Sequence, residues 1–408
     1  MKHYAIECLN MKGVWMQNLL KGKAEIESLR NKSGLLFSTI TLDKIIEEET
    51  RHDKYLLSDG SGRSIRTYSS GEQRKALLKY QMEQKPDFLV LDNPFDCLDV
   101  ESVDQLKQAL TVAAQSLPII QVFKRHKDIL PFVTHVLMLD HDQLSEVCAI
   151  DKYVLQFSSG KKARLRNGIP AAPKAYKNVP DVLVELRDVQ VSYDGRMIVN
   201  KINWCVRRGE FWHLKGPNGS GKTTLLSMIY GDNPKAFGQE LYLFGAKKGS
   251  GESVWEIKEK MGYFTPSLTT LFPGNHSVEQ MIISGLVDSV GLYLKPSDQQ
   301  RHMAREWLEV LNLTDKKEMS FGSLSQVDQR LVLIARAMIK HPPLLILDEP
   351  STGLDDYSAS LMVELINIIA AESDSAIIYV SHRKEEGLDA QYTFELKKGD
   401  SGSVGVMY

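Results

Sequence analysis

Short runs of consecutive apolar residues recur along the chain and alternate with stretches of helical period. Leu344-Leu-Ile-Leu347 and Phe88-Leu-Val-Leu91 are the clearest, and Ala376–Val380 follows the same rule. Strands covered on both faces read as continuous apolar runs, whereas half-exposed strands alternate. Strand-like patterns also cover Val182–Val191, Met261–Phe264 and Ile198–Leu214, the last broken by a turn at Arg208-Gly209. Helical period marks Thr224–Tyr230, the region from about Ser277 to Leu313, the segment opening at Ser325, and Ser358–Ala371, while the stretch before Met261 reads as irregular. The pattern predicts an α/β fold, a largely parallel sheet covered by helices.

The pattern also repeats. Phe88-Leu-Val-Leu-Asp-Asn-Pro94 matches Leu344-Leu-Ile-Leu-Asp-Glu-Pro350, with Asn93 where Glu349 stands, and Leu98-Asp99 matches Leu354-Asp355. Ser69 precedes Asp92 by 23 residues and Ser325 precedes Asp348 by 23. Each serine opens a basic, apolar-periodic helix. The chain therefore reads as a duplication. Between the halves, Ser158–Pro170 and on to Pro180 is rich in Gly, Pro and basic residues without periodicity, as in a linker whose charge is a solvated tether. The predicted division is a first domain at 1–160, a linker at 161–180 and a second domain at 181–408.

Composition narrows the function classes. The 408 residues are enough for two cores, and 43% hydrophobic with 25% charged residues is ordinary for a globular protein. A net charge of -2 gives no field to draw in nucleic acid or an acidic membrane surface. Cys8, Cys97, Cys148 and Cys205 are never paired at metal-ligand spacing, so they read as small apolar filler in a reducing compartment. No uncharged apolar run approaches the length of a membrane span. The expected location is cytoplasmic, with any work at the inner face of the cell membrane done through a partner.

The chemistry concentrates at Gly216-Pro217-Asn218-Gly219-Ser220-Gly221-Lys222-Thr223-Thr224, which fits the phosphate-loop pattern G-x-x-x-x-G-K-S/T. Its glycines let successive N–H groups point at a phosphate chain, and the helix after it offers its positive end to an anion. Lys222 is expected to reach the β- and γ-phosphates and Thr223 to sit on Mg²⁺. No such pattern occurs before Tyr68. In the second half 108 residues separate Gly216 from Leu324, whereas only 67 separate Met1 from Tyr68. Gly13-Val-Trp-Met-Gln-Asn-Leu-Leu20 reads as the segment after a phosphate loop, with the loop itself gone.

In this order the landmarks resemble the ATP-binding cassette (ABC) ATPases: a P-loop NTPase fold in two tandem domains, the first truncated and degenerate. Gly216–Thr224 resembles the family's Walker A, Leu344–Glu349 its Walker B, and Leu354-Asp355 its D-loop. Ser381-His382 resembles the switch histidine and Tyr193 the aromatic that stacks on adenine. Leu324-Ser325 and Tyr68-Ser69-Ser70-Gly71-Glu72 stand at the place of the Leu-Ser-Gly-Gly-Gln signature. Leu241-Tyr-Leu-Phe-Gly245, Gly249-Ser-Gly-Glu252 and Trp255-Glu-Ile-Lys258 are more narrowly similar to tandem cassettes associated with molybdate transport and photorepair.

The resemblance implies ATP and Mg²⁺ as ligands. Asp348 and Thr223 would hold the metal, Glu349 would activate water and His382 would contact the γ-phosphate. Family cassettes pair head to tail, each ATP lying between one Walker A and the opposite signature. The first half keeps Ser69, Ser70 and Gly71 but has Asn93 and no Walker A. The second half keeps both Walker motifs but carries Ser325-Gln326-Val327-Asp328, with both signature glycines lost. These complementary losses imply one working site, formed within one chain or across a homodimer. Lys124 and His126 compete for the switch position of the first half. Where the family carries Gln after Met261–Phe264, this chain has Thr265-Pro266-Ser267, against ordinary coupling to a membrane permease. Three functions stay open: an ATPase subunit for uptake of molybdate or another oxyanion, a soluble cassette ATPase acting on ribosomes or nucleic acid, and an ATP-gated regulator with little turnover.

Overall fold

A computed structural model describes residues 1–7, 14–23, 26–52, 57, 64–140, 143–157, 165–166, 168–173, 175–272, 276–288, 295–383 and 385–408. The chain falls into two compact units. The first is Met1–Lys162 with the short segment Gly353–Asp356, and the second is Ala163–Thr352 with Tyr357–Tyr408.

The first unit contains β1 (Tyr4–Glu7), α1 (Trp15–Leu20), β2 (Gly34–Phe37), α2 (Thr39–His52), α3 (Ser70–Glu83), β3 (Phe88–Asp92), α4 (Val100–Ala113), β4 (Ile119–Phe123), β5 (His135–Asp140), β6 (Gln143–Ala149) and α5 (Ile150–Phe157). The second contains β7 (Val182–Tyr193), β8 (Arg196–Arg207), β9 (Phe211–Lys215), α6 (Lys222–Tyr230), β10 (Glu240–Leu243), β11 (Ala246–Lys247), α7 (Val254–Glu259), β12 (Met261–Phe264), α8 (Val278–Ile283), α9 (Asp298–Val310), α10 (Gln326–Met338), β13 (Leu344–Asp348), α11 (Asp356–Glu372) from its second residue on, β14 (Ala376–Val380), β15 (Tyr392–Lys397) and β16 (Val404–Met407).

The two main sheets have one topology. The first runs β2-β3-β4-β1-β5-β6 and the second β12-β13-β14-β9-β15-β16. Both are parallel except for an antiparallel last strand. Apolar runs form these strands because both faces are covered. Phe88 and Val90 of β3 pack into one core of the first unit, and Leu89 and Leu91 into the other. Each such side chain contributes about 1.5–3 kcal/mol by leaving water. In the second unit a four-stranded antiparallel sheet, β11-β10-β7-β8, packs into the same core. The first unit has no counterpart of that sheet among its described residues. β7 and β8 are joined by Asp194-Gly195, both at positive φ (49° and 77°), the geometry that matches a two-residue turn to the strand twist.

The repeat extends to side chains. Arg74 is buried and donates to the Pro94 carbonyl at 3.0 Å, as Arg330 does to Pro350 at 2.8 Å. Gln73 donates to the Ile65 carbonyl and Gln329 to that of Phe321.

Several sequence expectations change here. The stretch read as irregular holds β10, β11 and α7, and the helical region from Ser277 is divided between α8 and α9. In the stretch read as a solvated tether, several described residues are anchored. Leu165 is buried, and the N–H groups of Gly168 and Ile169 donate to the Glu372 carboxylate. Cys97 is exposed rather than apolar filler, Cys148 and Cys205 are partly exposed, and Cys8 lies outside the described residues. Gly13 also lies outside them. In the sequence β1 precedes it and α1 follows, and no phosphate-loop pattern lies between them.

Within the first unit, Lys124 Nζ donates to the Gly353 carbonyl at 2.9 Å and Arg125 Nε to that of Leu354 at 3.0 Å. The His126 N–H and Nδ1 lie 2.8 and 2.6 Å from one Asp356 carboxylate oxygen. The hydrogen bond to Asp356 raises the His126 pKa. Burial pushes Asp356 up, but the His126 bonds outweigh it and leave it lowered. The histidine's contribution to stability is full below its ordinary 6.5 and is lost as pH rises through the folded value. The aspartate's is present above 3.8 and is lost as pH falls through its lowered folded value. Melting curves of wild type and His126→Gln, taken between about pH 5 and 8.5, should differ most at the acid end and converge toward the basic end.

Candidate functional site

The phosphate loop sits between β9 and α6. Gly216, Gly219 and Gly221 have φ of 156°, 72° and 98°. A side chain at Gly221 would meet Val199 Cγ1 at 2.5 Å, and one at Gly216 would meet the Leu396 carbonyl at 2.8 Å. Both positions therefore require glycine. Pro217 accepts from the Ser220 N–H at 3.2 Å, closing the turn that carries Asn218. Lys222, the first residue of α6, folds back over the loop and donates to the carbonyls of Gly216 (2.7 Å) and Pro217 (3.2 Å). Thr223 beside it is exposed, and Thr224 is half-buried. Ser220 Oγ is buried without a hydrogen-bond partner.

Asp348 ends β13. Burial, then the charge of Glu349, push its pKa up to about 6, and Lys222 pulls it part of the way back. Glu349 turns the chain sharply, with φ 52°, while its N–H donates to the Val380 carbonyl at 2.9 Å. That left-handed turn aims its carboxylate at the loop after β14. His382 Nδ1 lies 2.8 Å from Glu349 Oε2, and Thr352 Oγ1 donates to the same oxygen at 2.6 Å. Burial raises the Glu349 pKa, but these bonds outweigh it and hold the carboxyl below its usual range. His382 Nε2 is buried and has no partner.

Tyr193, at the end of β7, is 40% exposed. Its hydroxyl meets Asn233, whose Nδ2 lies 3.0 Å away and also donates to Ser227 Oγ of α6 at 3.0 Å. Lys235 Nζ sits 5.6 Å from the ring centroid. Asn233, Lys235 and Thr352 escaped the sequence reading because their roles depend on contacts made only after folding.

In the first unit Ser69 caps α3, and the pair is reciprocal: Ser69 Oγ accepts from the Glu72 N–H at 3.3 Å and Glu72 Oε2 from the Ser69 N–H at 2.7 Å. Ser70 and Gly71 form the first turn of α3, and a side chain at Gly71 would collide with Ser102 Oγ at 2.6 Å. The Ser-x-x-Glu capping pattern was present in the sequence. Asn93 has φ 43° and its N–H donates to the Val122 carbonyl, as Glu349 does to Val380, but its amide turns to Asp92 at 2.7 Å. The register pairs Asp92 with Val122 and Asp348 with Val380, which puts Lys124, not His126, at the place of His382. In the second unit Ser325 caps α10, and Asp328 is paired with Lys316 at 2.8 Å.

The family model described as ABC transporter matches residues 199–352. ABC transporter ATP-binding protein ModF of Escherichia coli is 38% identical over 79% of this chain and 68% of its own length. The chain belongs to the ATP-binding cassette family. An uncharacterized ABC transporter ATP-binding protein of Schizosaccharomyces pombe is 31% identical over 79% of this chain and 66% of its own length. The cassette chain thus spans about two thirds of the length of these curated relatives. A solved structure of an RNase-L inhibitor shares the fold, with a TM-score of 0.63 at 15% identity over 99% of this chain and 85% of that one. Among the described residues no helix is long and apolar enough to cross a membrane.

The loop geometry yields a direct test. Gly221→Val forces a branched side chain into positive φ and against Val199, and should abolish binding of a fluorescent ATP analogue and cost roughly 1–3 kcal/mol of stability in chemical denaturation.

Proposed function

We propose that this cassette hydrolyses ATP at one composite site, built from the Walker groups of the second unit and the signature turn of the first. The observation that carries the reading is Glu349, ionised, fixed by His382 and Thr352 and adjoining Asp348. A held carboxylate of this kind can orient a water and take its proton. The orphaned His382 Nε2 is left for a phosphate oxygen to meet, provided it carries a proton. Lys222 would exchange its loop carbonyls for phosphate oxygens, and Tyr193, steadied by Asn233, offers a face to adenine.

The donor set fits Mg²⁺. Thr223 and Asp348 supply hard oxygen ligands, and the upward shift at Asp348 marks a carboxylate short of compensating positive charge. When bound, the metal would neutralise charge on the β- and γ-phosphates.

The matching losses support the pairing. Asn93 cannot serve as a base, and Gln326 and Val327 replace the glycines that would let backbone approach phosphate. A finer reading is an ATP-binding subunit of an uptake system for molybdate or another oxyanion, with a permease as partner at the inner face of the membrane. The likeness to ModF, named as an ABC transporter ATP-binding protein, supports a transport role. A second reading, an ATP-gated regulator with little turnover, is favoured by Glu72, whose negative carboxylate already occupies the Ser69 N–H.

Glu349→Gln should lower ATP hydrolysis by about 10²–10⁴-fold with analogue binding retained, and unchanged slow turnover would favour the regulator. Ser70→Asp places a charge at the α3 turn without the Ser102 collision. It should abolish hydrolysis, whereas Val327→Asp should leave turnover within about threefold of wild type. Equal losses in the two variants would rule out a single composite site.

A further inference from the structure

Beside the Glu349–His382 contact lies a set of polar groups that the proposed chemistry does not use. His213 is the third residue of β9, between the buried Trp212 and Leu214. A polar ring in such a strand is costly unless it is hydrogen-bonded. Its Nε2 lies 2.9 Å from Ser381 Oγ. Ser381 donates its one hydroxyl proton to the Arg383 carbonyl at 2.5 Å, so it accepts from His213, and Nε2 carries the proton. Burial, with Lys215 adding to it, lowers the His213 pKa to about 4, so the ring is neutral near pH 7.

At the far end of the same loop, Ser351 Oγ donates to Glu385 Oε1 at 2.6 Å and lies 3.1 Å from the Tyr379 hydroxyl. Ser351, Tyr379, Ser381 and Glu385 are all buried. Ser381 and Glu385 bracket His382 in sequence, and Ser351 follows Glu349 by two residues. The loop that bears His382 is therefore tied at both ends, to β9 through His213 and to the Glu349 loop through Ser351.

We propose that His213 and the Ser351–Glu385 bond are positioning elements for hydrolysis, holding the His382 loop in the register at which Nδ1 meets Glu349. The inference rests on the roles given to Glu349 and His382 above. Neither His213 nor Ser351 has a part in holding nucleotide, so their effect should fall on the chemical step and not on binding. A misplacement of about 1 Å can cost on the order of 10²-fold in rate.

The test uses the full chain, with kcat and KM for ATP, affinity for a fluorescent ATP analogue, and melting temperature. His213→Phe keeps the bulk and loses the donor. It should lower kcat by about 10- to 100-fold and leave analogue affinity within about threefold. His213→Gln can place an amide N–H near the position of Nε2–H and should recover kcat to within about fivefold of wild type. A His213→Phe/His382→Ala double variant should be no slower than His382→Ala alone, because the first residue acts through the second. Ser351→Ala removes only a hydroxyl and reads the same effect if His213→Phe does not fold. Wild-type kcat in both His213→Phe and Ser351→Ala, or equal losses of kcat and affinity that Gln does not recover, overturns the proposal. Glu349→Gln separates the two levels. If it hydrolyses ATP like wild type, the underlying site reading fails. If it is inactive while His213→Phe and Ser351→Ala remain fully active, only the positioning role fails.

Discussion

A strand covered on both faces has one place for charge, its end, and β13 puts two carboxylates there. Side by side and largely out of water, Asp348 and Glu349 cannot both be ionised without support from their surroundings. The structure divides the burden. Glu349 receives His382 and Thr352 and stays ionised, while Asp348 has only the charge of Lys222 to help it and is pushed up to about 6. Such a separation comes from local partners alone, since both acids belong to one turn. It also depends on the backbone. Only a positive φ at Glu349 swings its carboxylate toward the loop after β14, a conformation that costs of order 1–3 kcal/mol for a residue other than glycine.

The first unit shows how the turn and its chemistry come apart. Asn93 keeps the positive φ and the N–H bond to the neighbouring strand, and Arg74 keeps the clamp on the nearby carbonyls that Arg330 makes in the second unit. These features belong to the fold. Breaking them would orphan a buried guanidinium or backbone N–H, which is costly whether or not anything is catalysed. The acid has no such protection, because an amide at position 93 satisfies itself on Asp92. The first unit thus keeps the sheet order with an amide at position 93 and with no phosphate-loop pattern before Tyr68.

The parts legible in the sequence were those that a local pattern determines. Wholly apolar runs gave β3, β13 and β14, and glycine spacing gave the phosphate loop, because each reports a constraint carried by adjacent residues. The strand β15, the edge strand β16 and the short α7 were missed, being short and half-exposed with weak periodicity. Residues 165–180 have a linker's composition, yet Leu165 and two backbone N–H groups anchor part of the stretch, the latter to a glutamate some 200 residues away, which composition does not encode. The support of Tyr193 by Asn233 and of Ser381 by His213 was hidden for the same reason. A lone histidine in an apolar strand carries no sign of its partner.

Gly71 shows how far motif matching can be carried. As a signature residue it reads as a position kept open for phosphate. In its own unit it also faces Ser102 of α4 at a distance that excludes any side chain, so packing alone requires glycine there. Its presence therefore cannot by itself mark a working site. The cap on α3 is similarly ambiguous, since Ser69 and Glu72 satisfy each other's backbone N–H groups as they would in any helix. What distinguishes the signature reading is the pattern of losses. Gln326 and Val327 stand in the unit that keeps Lys222, Asp348 and Glu349, and Asn93 in the unit that keeps Ser69 and Gly71. Packing within either unit gives no reason for losses divided in that way, and the division is the one that the proposed composite site requires.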